Sequence, residues 1–279
     1  MNAESSLPSP APACSVSVII TTHNRRDDLR ACLLSLPWRE IEEAEAEVLV
    51  YDDGSTDGTA AMTTAEFSGA RLLVEANRGL CAARNQAVDN ARGLLLLIID
   101  DDVIVQEGWI AAMLANDDGR TILGGRTLDM DSDRVQGVPT RFTFIGKRLP
   151  CRPEKASVGT GCNLGIPAAV FEALGGFDEE LDEYGFEESD FCIRANRAGY
   201  GFRYVEAATV RHKGSSVKRG RAIHTQERNS TYAILKAYRG SLWLLWRLAA
   251  WGLKLRFGDA RLLLAGWLAA YRRFARLSR

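Results

Sequence analysis

Apolar positions along the chain follow two periods, and each change of period marks an element. Residues 15–22, SVSVIITT, are β-branched and predict a strand. The segment after it, HNRRDDLRACLLSL, sets Leu29, Leu33 and Leu36 on one helical face. Residues 47–51 predict a second strand entering the turn DDGSTDGT at 52–59, and residues 71–75 predict a third. NRGLCAARNQAVDNA then opens a helix, and an apolar run from Leu94 ends on Asp100. A helix over 107–115 and a short strand over 121–126 complete a β-α-β alternation of about 110 residues. That alternation argues for a mostly parallel central sheet with helices on both faces, an α/β fold.

Beyond Asp129 the pattern loosens. Residues 130–155 predict a long loop beside the site, and GTGCNLGI at 159–166 a glycine-punctuated strand or turn. Pro167 and the pair Gly175-Gly176 bracket a helix over 167–174. A helix is expected over 187–198, with strands near 202–205 and 209–212.

Composition changes this picture in one place. With 279 residues, 46% apolar and 25% charged, the chain has room for one large α/β core and a smaller appendage. The net charge of −1 hides an asymmetry: residues 236–279 carry ten Lys and Arg against the single acid Asp259, so the body is acidic and the tail basic. The longest uncharged stretch of that tail, 262–271, is ten residues, about half of what a membrane-spanning helix needs. On a helix from Asp259, Arg261, Arg272, Arg276 and Arg279 form a stripe opposite Leu263, Trp267, Tyr271 and Phe274. Such a helix suits an anionic membrane surface; the alternative is a helical pair packed on the body or on another subunit. Nucleic acid is not an expected partner. Three parts follow: a flexible polar lead over 1–13, a catalytic domain over 14–220, and a helical, basic, C-terminal membrane-surface segment over 221–279. The lead has no apolar core of a signal peptide, and the six cysteines show no metal-ligand spacing. Together they read as a cytoplasmic protein with free thiols, peripheral on the inner face of the membrane.

The chemistry concentrates at 94–105, LLLLIIDDDVIV, where a buried strand runs into Asp100, Asp101 and Asp102. Three carboxylates there need a positive partner. In open α/β sheets, ligands bind beyond the carboxyl ends of the strands, and a divalent cation with a phosphate-bearing ligand meets both conditions. The plainer alternative is an acidic turn capping the helix near Trp109. In DDGSTDGT, Asp52 and Asp53 can accept the ring N–H of uracil, thymine or guanine, while Gly54 and Gly58 allow close backbone approach. An Asp/Gly-rich surface turn is the alternative. Neither a dinucleotide fingerprint nor a GxxxxGK[ST] loop occurs. His23 reads as a loop residue at a sheet edge.

SVSVIITTHNR, VLVYDDGSTDGT, NRGLCAARNQAV, LLLIIDDDVIVQEGW, GGFDEEL, EESDFCIRANRAGY and VRHKGSS occur in this order. The set resembles the family 2 glycosyltransferases of GT-A fold over residues 15–240. QERNSTYAILKAY is similar to members that build bacterial surface polysaccharides, including rhamnosyl- and galactosyltransferase types.

The resemblance implies roles. Thr21 with Asp53 and Asp52 would hold nucleobase and ribose. Asp100-Asp101-Asp102 would be the DxD element, Asp102 binding metal and Asp101 near the ribose or a metal-bound water. Arg84 and Asn85 match the ARN segment, where a donor contact falls. Gly125 and Arg126 match the floor of the sugar pocket, and His212 a second metal ligand. The general base would lie in the pair Glu187-Glu188, where Glu stands in place of the usual Asp, with Glu188 preferred. The alternative for that pair is an acidic first helical turn. The implied activity is an inverting transfer of a sugar from a UDP-, dTDP- or GDP-sugar to a glycan or lipid-linked glycan hydroxyl. It would use Mn²⁺, or Mg²⁺, in cell-envelope polysaccharide biosynthesis. The competing class is a catalytically silent sugar- or nucleotide-binding module of the same fold, to which the Glu188 replacement points. A sugar-1-phosphate nucleotidyltransferase would need a basic glycine-rich loop after the first strand, and 21–24 supply none.

Overall fold

The computed structural model describes residues 14–142, 148–181, 185–214, 219–237 and 268–272. Strand β1 (Cys14–Thr22) lies between β2 (Glu47–Asp52) and β4 (Gly93–Asp100), parallel to both, and β3 (Ala70–Val74) continues the sheet beyond β2. The period of two decides which face each residue joins. Leu95, Leu97 and Ile99 of β4 enter one core layer with Val16, Val18 and Ile20, while Leu96 and Ile98 enter the other with Ile19. Burial on both faces is why these strands read as unbroken apolar runs.

Helices α1 (Arg26–Ser35), α2 (Trp38–Glu43), α3 (Thr59–Glu66) and α5 (Trp109–Leu114) cover the first layer through Leu29, Leu33, Ile41, Met62, Ile110 and Met113. Helices α4 (Leu80–Asn90), α6 (Ala168–Leu174) and α7 (Glu187–Arg197) cover the second. There Phe177 packs between Phe171 and Phe191 at ring-centroid separations of 5.4 and 5.3 Å. α6 stops on Gly175, whose φ of 71° is the left-handed conformation that ends helices.

The sheet widens through β5 (Val103–Val105), β6 (Ile122–Asp129), β7 (Val135–Gly137), β10 (Asn163–Pro167) and β11 (Phe202–His212). Its order is β3-β2-β1-β4-β10-β6-β11-β5, with β7 paired to β6. Strands β5, β7 and β10 run against the rest, so the sheet is mostly parallel and mixed in its second half.

Three sequence expectations change here. The run 94–105 is two strands, because β4 ends on Asp100 and β5 pairs antiparallel with β11. Residues 130–155 are not one long loop: they hold β7, the hairpin of β8 (Thr140–Phe142) and β9 (Arg148–Pro150), and a 3₁₀ turn at Pro153–Lys155. The strands expected at 202–205 and 209–212 are one strand with a bulge between Val205 and Thr209. β5, β7, β8 and β9, at three residues each, carry too few residues for a period to show, and in β11 the bulge breaks the period.

Helix α8 (Arg219–Ala237) packs through buried Tyr232 and Ala233, and its Lys236 pairs with Asp178 and with Asp190 Oδ1, the latter at 2.9 Å. The first part of the expected C-terminal segment therefore rests on the body. The amphipathic stripe lies outside the described residues except at 268–272, where Ala270 is buried and Leu268 and Tyr271 are exposed. No helix among the described residues is long and apolar enough to cross a membrane.

Candidate active site

The carboxyl ends of β1, β2 and β4 gather the first group of residues. Asp53 donates its backbone N–H to Thr22 O at 2.9 Å, and its carboxylate accepts the N–H groups of Arg78 (2.8 Å) and Gly79 (3.0 Å) ahead of α4. Each Asp53 oxygen keeps a lone pair for one more donor. Asp52 Oδ1 accepts Ser55 N–H at 2.8 Å in a tight turn, and its buried Oδ2 has no partner. Gly54 in that turn has φ of 78°, and a Cβ there would stand 2.8 Å from Asn77 N, so only glycine fits. Thr21, next to these, is buried at the end of β1. His23 is exposed in the following loop, with Nδ1 2.7 Å from Asp53 O.

Asp101 and Asp102 occupy the turn between β4 and β5. Thr22 Oγ1 donates to Asp101 Oδ2 at 2.7 Å. Arg25 reaches Asp101 Oδ1 at 3.3 Å and Asp102 Oδ2 at 2.8 Å, and it also holds Asp28. This turn does not cap α5: the N–H groups of Gly108 and Ala111 go to Glu40 instead. Burial pushes the Asp101 carboxyl up to about 7, against the pull of Arg25 and Thr22. Asp102 is shifted the other way, since His212 and Arg25 outweigh its burial.

His212 is the last residue of β11, and the bulge sets its register opposite Val103 and Asp129. Its Nε2 lies 3.2 Å from Asp102 Oδ1 and 3.8 Å from Asp100 Oδ2. Its Nδ1 faces Gln136 Oε1 at 3.2 Å. Gln136 Nε2 donates to Asp129 Oδ2 at 2.9 Å, which orients the amide with its oxygen toward the imidazole. Nδ1 therefore carries a proton and Nε2 points a second proton or a bare lone pair at two carboxylates. Burial lowers the imidazole pKa, yet Asp102 and Asp100 outweigh it and raise the value. Asp102 Oδ1, buried with no aligned donor, completes a gap that demands a proton or a cation. Asp102 and Asp100 thus each bring a carboxylate oxygen close to this imidazole, at 3.2 and 3.8 Å. Among the described residues, the ligand atoms that all lie within 4.8 Å of one another are those of Asp100, Cys162 and His212. Gln136 with Asp129 would give such a histidine the outer support that metal ligands need.

Arg84 spans from this gap to the helix behind it. It is buried, with Nη2 2.5 Å from Asp100 Oδ1 and Nη1 2.7 Å from Glu187 Oε1. Asn85 holds the GGFD loop, accepting Phe177 N–H at 2.8 Å and donating to Phe177 O at 2.9 Å. Glu187 is buried, and burial together with the neighbouring Glu188 pushes its carboxyl up to about 7. Glu188 Oε1 accepts from Arg148 Nη1 at 2.8 Å, and Arg148 also donates to Gly159 O. Contacts thus run unbroken from Asp53 through Thr22, Asp101, Arg25, Asp102, His212, Asp100 and Arg84 to Glu187 and its neighbour Glu188.

Gly125 and Arg126 sit apart from that chain. A Cβ on Gly125 would come within 2.2 Å of Asn163 Nδ2 and 2.4 Å of Ala208 O, so the glycine makes a close approach inside the sheet. The Arg126 guanidinium lies 3.6 Å from Glu206 on the bulge. Four residues that the sequence reading left out belong to the site: Arg25, Gln136, Arg148 and Asn163. Asn163 accepts Trp109 Nε1–H at 2.9 Å and donates to Arg126 O and Ala208 O, pinning the bulge that aims His212. Each acts on a partner more than 35 residues away, beyond the reach of local periodicity.

The chain is similar to known proteins in sequence and in fold. The chain is 26% identical over 242 residues to YfnE, an uncharacterised glycosyltransferase of Bacillus subtilis, covering 67% of this chain and 62% of that protein. It is 26% identical over 196 residues to glycosyltransferase AglE of Haloferax volcanii, covering 68% of this chain and 64% of the relative. The chain therefore spans just under two thirds of the length of both. The structure of GalNAc-T7 with UDP, GalNAc and Mn²⁺ superposes with a TM-score of 0.66 at 17% identity, over 85% of this chain and 50% of that one, which gives the GT-A fold. Residues 17–175 match the family model glycosyl transferase family 2, and the chain belongs to that family.

Proposed function

We propose that this protein is an inverting, metal-dependent glycosyltransferase that moves a sugar from a UDP-, dTDP- or GDP-sugar to a hydroxyl of a glycan or lipid-linked glycan. The observation that carries the reading is the gap between His212 Nε2, Asp102 Oδ1 and Asp100 Oδ2, joined through Arg84 to the Glu187-Glu188 pair.

Asp102, His212 and Asp100 would hold Mn²⁺ or Mg²⁺, and the relative GalNAc-T7 was solved with Mn²⁺ and UDP. When bound, the ion supplies Lewis-acid stabilisation of the charge that develops on the leaving diphosphate. Asp53, set by two backbone N–H groups, keeps lone pairs that favour the ring N–H of uracil, thymine or guanine. Asp52 Oδ2 offers another acceptor in the same turn.

Glu188 is the proposed general base. Arg148 holds one of its oxygens, which orients the carboxylate to receive the acceptor proton. Glu187 is buried against Arg84 and serves as a positioning residue. One carboxylate base and no identified nucleophile correspond to a single displacement, hence inversion. A positioned base contributes about 10²–10⁴ in rate. The exposed Leu268 and Tyr271 are compatible with a C-terminal segment resting on an anionic membrane surface, and co-sedimentation with anionic and neutral vesicles tests it.

Transfer from UDP-, dTDP- and GDP-sugars with Asp102→Ala and Glu188→Gln decides the main proposal. Both variants are expected to lose at least about a hundredfold in kcat, with Glu188→Gln still binding donor by calorimetry. Near wild-type rates in both would refute the assignment. Donor binding without turnover in the wild type would favour the silent module.

A further inference from the structure

Among the described residues, Cys162 is a donor at this gap that the proposed chemistry leaves unused. Ligand atoms of Asp100, Cys162 and His212 all lie within 4.8 Å of one another. The thiol sits in the turn before β10, is buried, and has Thr127 Oγ1 as a weak partner at 3.7 Å. Burial and the Asp100 charge push it up to about 12, so without a cation it stays a neutral thiol. The second thiol near the aspartates, Cys32, donates to the Asp100 backbone carbonyl at 3.7 Å and is thereby accounted for. Asp102 Oδ1, buried without an aligned donor, lies 3.2 Å from Nε2 of the same His212.

We propose that Cys162 makes this centre a mixed site, with a carboxylate oxygen, an imidazole nitrogen and a sulfur available to one ion. The inference rests on the proposed cation site and adds a soft ligand to it. Bonds of about 2.0–2.3 Å would require the three donors to close in by roughly an ångström, a side-chain rotation at most. On binding, the thiol proton leaves to solvent and the thiolate takes its place on the metal, as coordinated thiols do. Thiolate favours Zn²⁺, Cd²⁺ and Co²⁺ over Mn²⁺ and Mg²⁺. The centre therefore discriminates among cations by whether sulfur is engaged. Soft ions seat on Asp100, His212 and Cys162, and hard ions seat on the carboxylates and His212 without needing the thiol. Zn²⁺ and Cd²⁺ compete with the ion that supports transfer.

Anaerobic titration of the reduced full-length chain with Co²⁺ tests this through an optical signature. A thiolate-to-cobalt charge-transfer band in the near ultraviolet should grow to one equivalent. It should persist in Cys32→Ser and vanish in Cys162→Ser, while the visible ligand-field bands of bound Co²⁺ remain. Cys162→Ser should also weaken Cd²⁺ binding at least about tenfold and change Mn²⁺ binding less than about threefold. Co²⁺ bound to wild type without the band, or a band that survives in Cys162→Ser, overturns the sulfur ligand and leaves the cation site standing. Failure of the wild type to bind Co²⁺ or Mn²⁺ overturns both. Should Cys162→Ser fold poorly, Cys162→Ala and the wild-type spectrum decide.

Discussion

The half of the sheet built from β1 to β4 and the half built from β6 to β11 reach the site in opposite ways. In the first, the functional residues stand at strand ends, and backbone N–H groups fix two of them: Asp52 through Ser55 in its own turn, and Asp53 through the segment that opens α4. Strand ends at a parallel sheet's edge make such sites almost automatically. In the second, no residue is set by its own loop. His212 depends on a bulge held by Asn163 and on an amide from β7, and Glu188 on a guanidinium from β9. Asp52 and Asp53, held by backbone N–H groups, should tolerate remote side-chain substitutions, whereas the second half should fail one partner at a time. Arg84 joins them, since it rises from α4, binds Asp100 of the first half and Glu187 of the second, and has its whole charge buried between them.

The largest effect is expected at that join. Arg84→Met leaves two carboxylates facing a buried apolar side chain, and breaking a buried ion pair from one side costs about 3–5 kcal/mol. Urea unfolding should show a loss of this size, and restoring neutrality with Glu187→Gln in the same chain should recover part of it. A loss under about 1 kcal/mol would mean the halves are held independently, and the comparison drawn above would fall.

A smaller effect, of opposite sign to the usual carboxylate, is expected from Glu187 itself. Burial and Glu188 raise its pKa from 4.5 to about 7, so the fold favours the protonated form. That contribution is fully present below the unfolded value and is lost as pH rises through the folded one. In metal-free protein Glu187 should therefore account for a loss of about 2–3 kcal/mol between about pH 4.5 and 7.5, beside a loss of the same sign from Asp101, and Glu187→Gln should make the slope shallower. Thermal melts across this range check it. An unchanged slope in the variant would place the pH dependence elsewhere.

The same contrast explains what could be read from residues alone. The runs 15–22, 47–51 and 94–100 carry their fold in composition, because a strand buried on both faces has to be apolar throughout. Their terminal aspartates stand out for the same reason. β7, β8 and β9 are three residues each and show no period, so Gln136 and Arg148 were invisible as site residues. Arg25 closes the motif SVSVIITTHNR, yet its role depends on a partner 77 residues away. Gly125 makes a close approach to Asn163 that nothing in the local sequence announces.

Gln136 tests the second half at a single amide. Its oxygen keeps the proton on His212 Nδ1 and so leaves Nε2 free for a cation. Gln136→Leu removes that preference without touching a proposed ligand. Loss of such an outer partner typically costs 10–100-fold in metal affinity, about 1.4–2.7 kcal/mol. Mn²⁺ binding followed by electron paramagnetic resonance should report that loss, and Gln136→Glu, which still accepts the Nδ1 proton, should restore most of it. Equal weakening in both variants would reduce Gln136 to a packing role.

Arg25 offers the smallest effect and the clearest sign. Its guanidinium bridges Asp101 Oδ1 and Asp102 Oδ2, and Asp28, itself held by Lys213 at 3.0 Å, steadies it. Burial would lower its pKa, yet Asp101 and Asp102 outweigh that and raise it, which shows how strongly the bare aspartates draw a cation. A divalent ion held by Asp102, as proposed, would be repelled by this charge on the opposite oxygen. In Arg25→Gln the metal-free chain should be slightly less stable, while Mn²⁺ without nucleotide should bind about three- to tenfold tighter, because a half-exposed charge acts through partly screened fields. If Mn²⁺ instead binds more weakly, Arg25 serves to hold the aspartates in a receptive geometry. The first half would then need a long-range partner as much as the second does.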